Sequence, residues 1–322
     1  MAPLSLIEIL TARRRIRDSV RRTPLVRSDW LSEGAGVDVY LKLESLQVTG
    51  SFKARGAFNA ARALAERSGG TRPPLVTASA GNHGRALAQA AQALALPLIV
   101  FAPRTAPRAK LDAIKAHGAD LRLEADYDEA ERRAKALAAR GEATFISPYS
   151  DVDVIAGAGT LAVEIFEEQP DVGTIVVPLG GGGLLSGVAV ASRAISPGAA
   201  VIGVEVEASH PFHDSLQAGH LVEVQVGPTL ADGLAGNADP DTITFDYIRR
   251  LVSALVMVSE RELRAAMRGL AGREHLVAEG AGAVGVAAVE SGRLTASGRS
   301  IAVIVSGGNI DPDKLQAVLA NR

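Results

Sequence analysis

The 322 residues contain no cysteine. Thiol nucleophiles, iron–sulfur clusters, cysteine-bound zinc and disulfides are therefore excluded. A chain without disulfides fits a reducing compartment, and a cytoplasmic location is expected. An excess of charge of one sign is also missing: 34 basic residues stand against 36 acidic ones, a formal charge of −2. That balance offers no footprint for nucleic acid or an anionic membrane surface, and neither is expected as a partner. No stretch approaches about 18 consecutive apolar residues, so no membrane-spanning helix is expected. The first residues show no apolar core followed by a cleavage site, and no signal peptide is read there. Lysine is scarce, six residues against 28 arginines.

What is present is an ordinary globular composition, 47 % apolar and 22 % charged. A chain of this length buries a large core without disulfides or metal. At about 150 residues per domain it holds one large domain or two ordinary ones. Short β-branched runs at 39–43, 75–78, 98–101, 121–123, 175–178, 201–206 and 301–305 alternate with Ala-rich helical runs at 57–67, 85–94, 109–117, 129–139 and 184–195. This alternation predicts an α/β fold with parallel sheets covered by helices on both faces. A Gly/Pro-rich segment at 68–74 and a second break at 147–150 divide the chain. The expected organisation is a large domain formed by 1–70 and 151–322, with a smaller, mobile α/β domain, 71–150, inserted in it. A cleft between two such domains closes over a substrate and excludes water.

Four segments could carry chemistry. In Thr49-Gly50-Ser51-Phe52-Lys53-Ala54-Arg55-Gly56-Ala57, Lys53 stands at a helix start, where cations are disfavoured. Gly50 and Ser51 read as a turn and N-cap ahead of it. The helix start and nearby Arg55 would both favour a neutral amine, the form that condenses with a carbonyl. An ordinary capped helix with a solvated lysine has the same spacing. Next, Thr77-Ala78-Ser79-Ala80-Gly81-Asn82-His83-Gly84 follows a strand and opens a helix. Its glycines, free helix N–H groups and polar side chains suit a carboxylate or phosphate, and ligands of open α/β sheets gather at strand carboxyl ends. A polar turn with its own cap is the plainer alternative.

The third segment, Gly180-Gly181-Gly182-Gly183-Leu184, lies between a buried strand and a helix. Four consecutive glycines are entropically costly. They make sense where successive N–H groups wrap an anion, most simply a phosphate. No Gly-Lys-Ser/Thr follows and the dinucleotide spacing fails, so neither nucleotide motif applies. The fourth, Ser306-Gly307-Gly308-Asn309, presents a hydroxyl at the end of the last strand. Gly280-Ala281-Gly282-Ala283-Val284-Gly285 matches Gly-x-Gly-x-x-Gly literally, but no acidic residue closes a second strand at the required distance. It reads as close helix packing. His210 and His213 lack a third ligand at a recognisable spacing, and no Gly-x-Ser-x-Gly elbow occurs, so neither a metal site nor a serine hydrolase is supported.

A phosphate loop, an amine nucleophile and a Ser/Asn/Gly turn are the parts that pyridoxal 5′-phosphate needs. On these motifs and their order, the chain resembles the fold-type II pyridoxal-phosphate enzymes, and more narrowly the threonine/serine dehydratase and serine racemase family. The resemblance runs from Arg22-Thr23-Pro24-Leu25 to Ser306-Gly307-Gly308-Asn309. It implies that Lys53 binds the cofactor covalently and serves as acid/base at the substrate α-carbon. It implies Phe52 against the ring, Gly180, Gly181, Gly182, Gly183 and Leu184 on the phosphate, Asn82 on the phenolic oxygen and Ser306 at the pyridine nitrogen. Ser79, Ala80, Gly81 and His83 would frame the substrate carboxylate, Ser79 counting among the catalytic residues. Tyr149 and Gly233, in the Asp232-Gly233-Leu234-Ala235 turn, are assigned to the wall facing the β-substituent.

The reaction so implied is β-elimination of L-threonine and/or L-serine to a 2-keto acid and ammonia, by a homo-oligomer, dimer or tetramer. Another 3-hydroxy amino acid, such as hydroxyaspartate or phenylserine, is the alternative substrate. Serine racemases carry a second serine where this chain has Ala80, which argues against racemisation as the main activity. Racemase-like members bind a divalent cation near 203–211. Glu205 matches the first ligand, but Pro211 stands where an acidic ligand is expected, and no metal is predicted. The chain ends about a dozen residues after Asn309. That leaves no room for the regulatory region of biosynthetic threonine dehydratases, and isoleucine feedback is not expected.

Overall fold

The computed structural model describes residues 4–69, 71, 73–294 and 300–320. The break expected at 68–74 includes residues 70 and 72, which lie outside the described residues, as do residues 1–3. The strands are β1 (Leu25–Arg27), β2 (Asp38–Leu43), β3 (Leu75–Ala78), β4 (Leu98–Pro103), β5 (Asp120–Glu124), β6 (Thr144–Phe145), β7 (Thr174–Pro178), β8 (Ala200–Val206), β9 (Ala254–Val258) and β10 (Ser300–Val305). They form two sheets. The larger has the order β1-β2-β10-β7-β8-β9 and the smaller β5-β4-β3-β6. Every pairing is parallel except β1 with β2.

Parallel strands need crossover helices, and these cover both faces of the larger sheet. The central strands β7 and β10 are accordingly buried at every position. One face packs on the helices Leu6–Ile16, Val152–Glu168 and Gly183–Ile195. The other packs on Asp29–Ala35, Glu260–Arg273 and Gly280–Glu290. All seven strand runs read from the sequence are present, with ends shifted by at most two residues. β1 and β6 are too short to show an alternation. The helix Val152–Glu168 is buried continuously over 154–166 and so carries no apolar stripe to read.

The helix Lys53–Arg67 sits between the two sheets. Ala54, Ala57, Phe58, Ala60 and Ala61 share a core with Leu75, Leu87 and Val100 of the smaller layer. Its other face meets Val152–Glu168 at very short range. A Cβ on Gly157 would lie 2.4 Å from the Arg55 carbonyl oxygen, and one on Gly56 2.8 Å from Val154. Gly187 and Gly159 bring Gly183–Ile195 equally close: a Cβ on Gly187 would lie 2.4 Å from the Ile155 carbonyl oxygen. Three helices locked backbone to backbone thus set the start of Lys53–Arg67 against the start of Gly183–Ile195.

Arg55 corrects an expectation. Its guanidinium turns away from Lys53 into a buried ion cluster, with Nε 2.9 Å from Glu44 Oε2 and Nη1 2.6 Å from Glu164 Oε1. Lys42 completes it, 2.9 Å from Glu164 and 2.6 Å from the Thr23 carbonyl oxygen. Two cations and two carboxylates, all buried, neutralise one another there. Gly280–Gly285 of the helix Gly280–Glu290 is close packing, as read: a Cβ on Gly282 would lie 2.3 Å from the Gly307 carbonyl oxygen.

Candidate active site

Lys53 opens its helix, as its spacing predicts, but Ser51 does not cap it. Phe52 holds the cap position and no side chain bonds the helix end. Residues 50–52 are instead tied to the loop that follows β10. Phe52 N donates to Ser306 O at 2.9 Å, Gly308 N donates to Gly50 O at 2.9 Å, and Ser51 bridges Gly307. The Ser51 hydroxyl is buried across this tie, without a hydrogen bond among the described residues. Gly50 adopts φ +73°, and a Cβ there would lie 2.4 Å from Asn309 Oδ1. The tie brings the Ser306 segment beside Lys53, although 253 positions separate the two residues in the chain.

Lys53 Nζ donates to the Pro148 carbonyl at 2.7 Å and lies 5.0 Å from the centre of the Phe52 ring. Protein crowds the amine, and desolvation pushes it down to about 8, against the attraction of Glu279. Burial rather than Arg55 therefore favours the neutral form. His83 lies close by, 2 % exposed, with the Ile146 backbone beside its ring. Burial first, and the Lys53 charge second, push its imidazole down to about 3. It is a neutral ring beside the amine.

The glycine loop leaves β7 and enters Gly183–Ile195 through Gly182, whose φ is +86°. A Cβ on Gly181 would lie 2.3 Å from the Tyr149 ring, one on Gly183 2.7 Å from the Tyr149 carbonyl oxygen, and one on Gly180 3.0 Å from Leu234 Cα. Thr244 Oγ1 donates to the Gly181 carbonyl at 2.9 Å. The N–H groups of Gly180, Gly181, Gly182, Gly183 and Leu184 meet no acceptor among the described residues. Gly183 and Leu184 share a small cavity, about 10 Å³, with Phe52, Lys53 and Pro148. Tyr149 and Gly233 both pack on this loop, Tyr149 on Gly181 and the Gly233 carbonyl towards Gly180.

In the turn after β3, Gly81 holds the cap position and Ser79 bonds the N–H groups around it. Ser79 Oγ accepts from Gly81 N at 3.3 Å and Gly84 N at 3.1 Å, which leaves its hydroxyl proton to donate. Ala80 and Gly81 are half-buried, and a Cβ on Gly81 would meet nothing within 4 Å. Asn82 is the first residue of the helix Asn82–Ala93. Its Nδ2 donates to Glu279 Oε1 at 2.7 Å, and its Oδ1 accepts from Asn309 Nδ2 at 2.8 Å. Ser306 is buried at the end of β10, its Oγ 3.5 Å from the Ala281 carbonyl oxygen. The four segments therefore meet around Lys53 and Asn82.

Glu279 had no sequence signal: it precedes a glycine pattern whose only reading was packing. Asn309 was visible only as the end of a motif. Glu205, read as the first position of a cation site, accepts from Phe212 N at 3.0 Å and His213 N at 2.8 Å. No group of three His, Asp or Glu side chains among the described residues is arranged to hold a metal.

The arrangement fits pyridoxal phosphate. A phosphate needs several N–H groups and close backbone approach, which the glycine loop offers and any Cβ would obstruct. An aldehyde needs a neutral amine, which the desolvated Lys53 offers. A phenolic oxygen needs a donor, which the second N–H of Asn82 offers. The comparisons with known proteins agree. Residues 16–307 match the model of the pyridoxal-phosphate dependent enzymes, and the chain belongs to that family. Among curated relatives, it is 42 % identical to the L-threonine ammonia-lyase of Thermotoga maritima, over 98 % of this chain and 78 % of that one. Among solved structures, maize serine racemase superimposes with a TM-score of 0.91 at 31 % identity, over 98 % of this chain and 96 % of that one. The processed form of threonine deaminase isoform 2 from Solanum lycopersicum gives a TM-score of 0.90 at 33 % identity, over 98 % and 92 %.

Proposed function

We propose that this chain is an ammonia-lyase that eliminates the β-hydroxyl of L-threonine and/or L-serine, releasing a 2-keto acid and ammonia. The observation that carries the reading is the Lys53 amine, crowded by protein at the start of its helix, bonded to the Pro148 carbonyl and next to the start of the glycine loop. The names of the threonine ammonia-lyase and threonine deaminase relatives support the substrate class.

Pyridoxal phosphate, when bound, supplies the carbonyl that captures the substrate amine and the electron sink for the α-carbon. The residues of the chain bind, orient and move protons. The N–H groups of Gly180, Gly181, Gly182, Gly183 and Leu184 would hold the phosphate. Asn82 would donate to the phenolic oxygen, Ser306 would serve the ring nitrogen, and Phe52 would support the ring. A neutral serine hydroxyl at that nitrogen does not enforce a pyridinium charge, which suits prompt loss of a β-leaving group. Ser79, Ala80, Gly81 and His83 would frame the substrate carboxylate. Lys53 would take the α-proton, and the β-hydroxyl would leave as water. Tyr149 and the turn at Gly233, braced on the glycine loop, form the wall towards the β-substituent.

The unit 71–150 moves to close the cleft and exclude water. The ion pairs Lys110–Asp232, at 3.1 Å, and Lys135–Asp239 link it to the segment between the helices Pro211–Ala218 and Thr244–Leu251. The working form is a cytoplasmic dimer or tetramer. Racemisation is a second reading because of the likeness to maize serine racemase, but Ala80 lacks the hydroxyl that would reprotonate the opposite face. Incubating the holo-protein with L-threonine, L-serine, threo-hydroxyaspartate and phenylserine, with keto acid and ammonia as readouts, tests the reading. Fast release from threonine or serine supports it. Turnover of only one of the others changes the substrate and keeps the chemistry. Silence on all four overturns it.

A further inference from the structure

Glu279 is a buried carboxylate for which the reaction above has no use. It precedes the helix Gly280–Glu290 but makes no side-chain cap to it. Its Oε1 lies across Gly307, where a Cβ would come within 2.2 Å. Its partner is Asn82, whose Nδ2 donates to it at 2.7 Å.

The hydrogen bonds behind Asn82 leave its amide no choice of orientation. Asn309 Nδ2 lies 2.8 Å from the Thr49 carbonyl oxygen, which can only accept. Arg85 Nη1, which can only donate, lies 3.0 Å from Asn309 Oδ1. Both ends of Asn309 are thereby assigned, and its Nδ2 also donates to Asn82 Oδ1. Asn82 must then present its NH₂ to Glu279, an acceptor. One of the two N–H groups is used there, and the other is free to donate.

We propose that Glu279 is a positioning residue for the cofactor, the terminal acceptor of the chain Arg85–Asn309–Asn82–Glu279, which keeps one Asn82 N–H available to the phenolic oxygen. The inference rests on the assignment of Asn82 to that oxygen. A carboxylate accepts more strongly than a neutral acid, so the hold on Asn82 depends on the charge of Glu279. Burial pushes the carboxyl up to about 7. Its bond to Asn82 opposes this, Asp232 on the cleft rim adds to it, and Lys110 of the helix Arg108–Lys115 and Lys53 oppose it. As pH falls through about 7, Glu279 takes a proton and its grip on the amide loosens.

The test uses holo-protein reconstituted with pyridoxal phosphate, read by the visible absorbance of the bound cofactor and by its dissociation constant. Parent, Glu279→Gln, Asn82→Ala, Asn309→Ala and the Glu279→Gln/Asn82→Ala double variant are compared. In the parent, the band changes between about pH 6 and 8. Glu279→Gln abolishes that change and weakens cofactor binding about tenfold. Asn309→Ala, which cuts the chain one bond earlier, weakens it in the same direction. The double variant binds no worse than Asn82→Ala alone, because Glu279 acts through Asn82. Additive losses in the double variant, or an unchanged pH response in Glu279→Gln, overturn the proposal while a normal parent band leaves the cofactor assignment standing. A parent without any visible band overturns both.

Discussion

Two lysines near the same helix have opposite surroundings. Lys42 is fully buried but sits 2.9 Å from Glu164, and Arg55, Glu44 and Glu164 complete a neutral cluster around it. Lys53, half-buried at the start of its helix, has the Pro148 carbonyl as its hydrogen-bond partner among the described residues. Its amine is driven down to about 8 by desolvation. The first arrangement fastens helices together. The second leaves a cation unsatisfied and therefore ready to lose its proton and react. Burial alone does not make a lysine chemical; burial without a bonded carboxylate does.

Substitutions can break this comparison. Lys53→Ala should give a folded protein without visible cofactor absorbance, and keto-acid release should fall by more than about a thousandfold. Retained turnover in that variant would falsify the assignment. Arg55→Ala should act on stability instead. It strands Glu44 and Glu164 without a shared cation, which costs about 3–5 kcal/mol in urea unfolding. The remaining folded enzyme should keep its absorbance band.

The sharpest contrast is in the apoprotein. The folded pKa of Lys53 lies below the unfolded value of 10.5, so at pH 7 both states are protonated and the fold bears the full penalty of the buried charge. Lys53→Ala should therefore melt higher than the parent at pH 7. The gain should shrink as pH rises through about 8 and vanish above about 10.5, where both states are neutral. Lys42→Ala should melt lower at pH 7, and an equal rise for both variants would dissolve the distinction. Capture of pyridoxal phosphate by the parent should speed up as pH rises towards 8, as the neutral amine accumulates. The smallest effect is expected at the cleft rim. Lys110→Ala removes a half-exposed ion pair with Asp232, is worth less than about 1 kcal/mol, and should change kcat/KM by less than about threefold.

Much of the site was legible because its chemistry is local. The four glycines, the Ser-Ala-Gly-Asn-His turn and the Lys53 helix start are contiguous segments whose spacing already limits what they can bind. The strands were legible because parallel, doubly covered strands are unbroken apolar runs. Ser51 was misread as a cap because a serine before a helix usually bonds its N–H groups; here the backbone pairing with Gly307 claimed the segment first. Arg55 was misread because its direction depends on Glu44 and Glu164, and Glu164 is 109 positions away.

The sequence, taken without its structure, determined the α/β alternation and the family, and marked the glycine loop and Lys53 as candidates, since each rests on residue types at short spacing. Only the tertiary structure decided why the Lys53 amine gives up its proton more readily than a free lysine, where Arg55 turns and that Glu279 and Asn309 both bond Asn82. Desolvation and hydrogen-bond direction depend on what surrounds an atom in space, and residues hundreds of positions apart supply those surroundings.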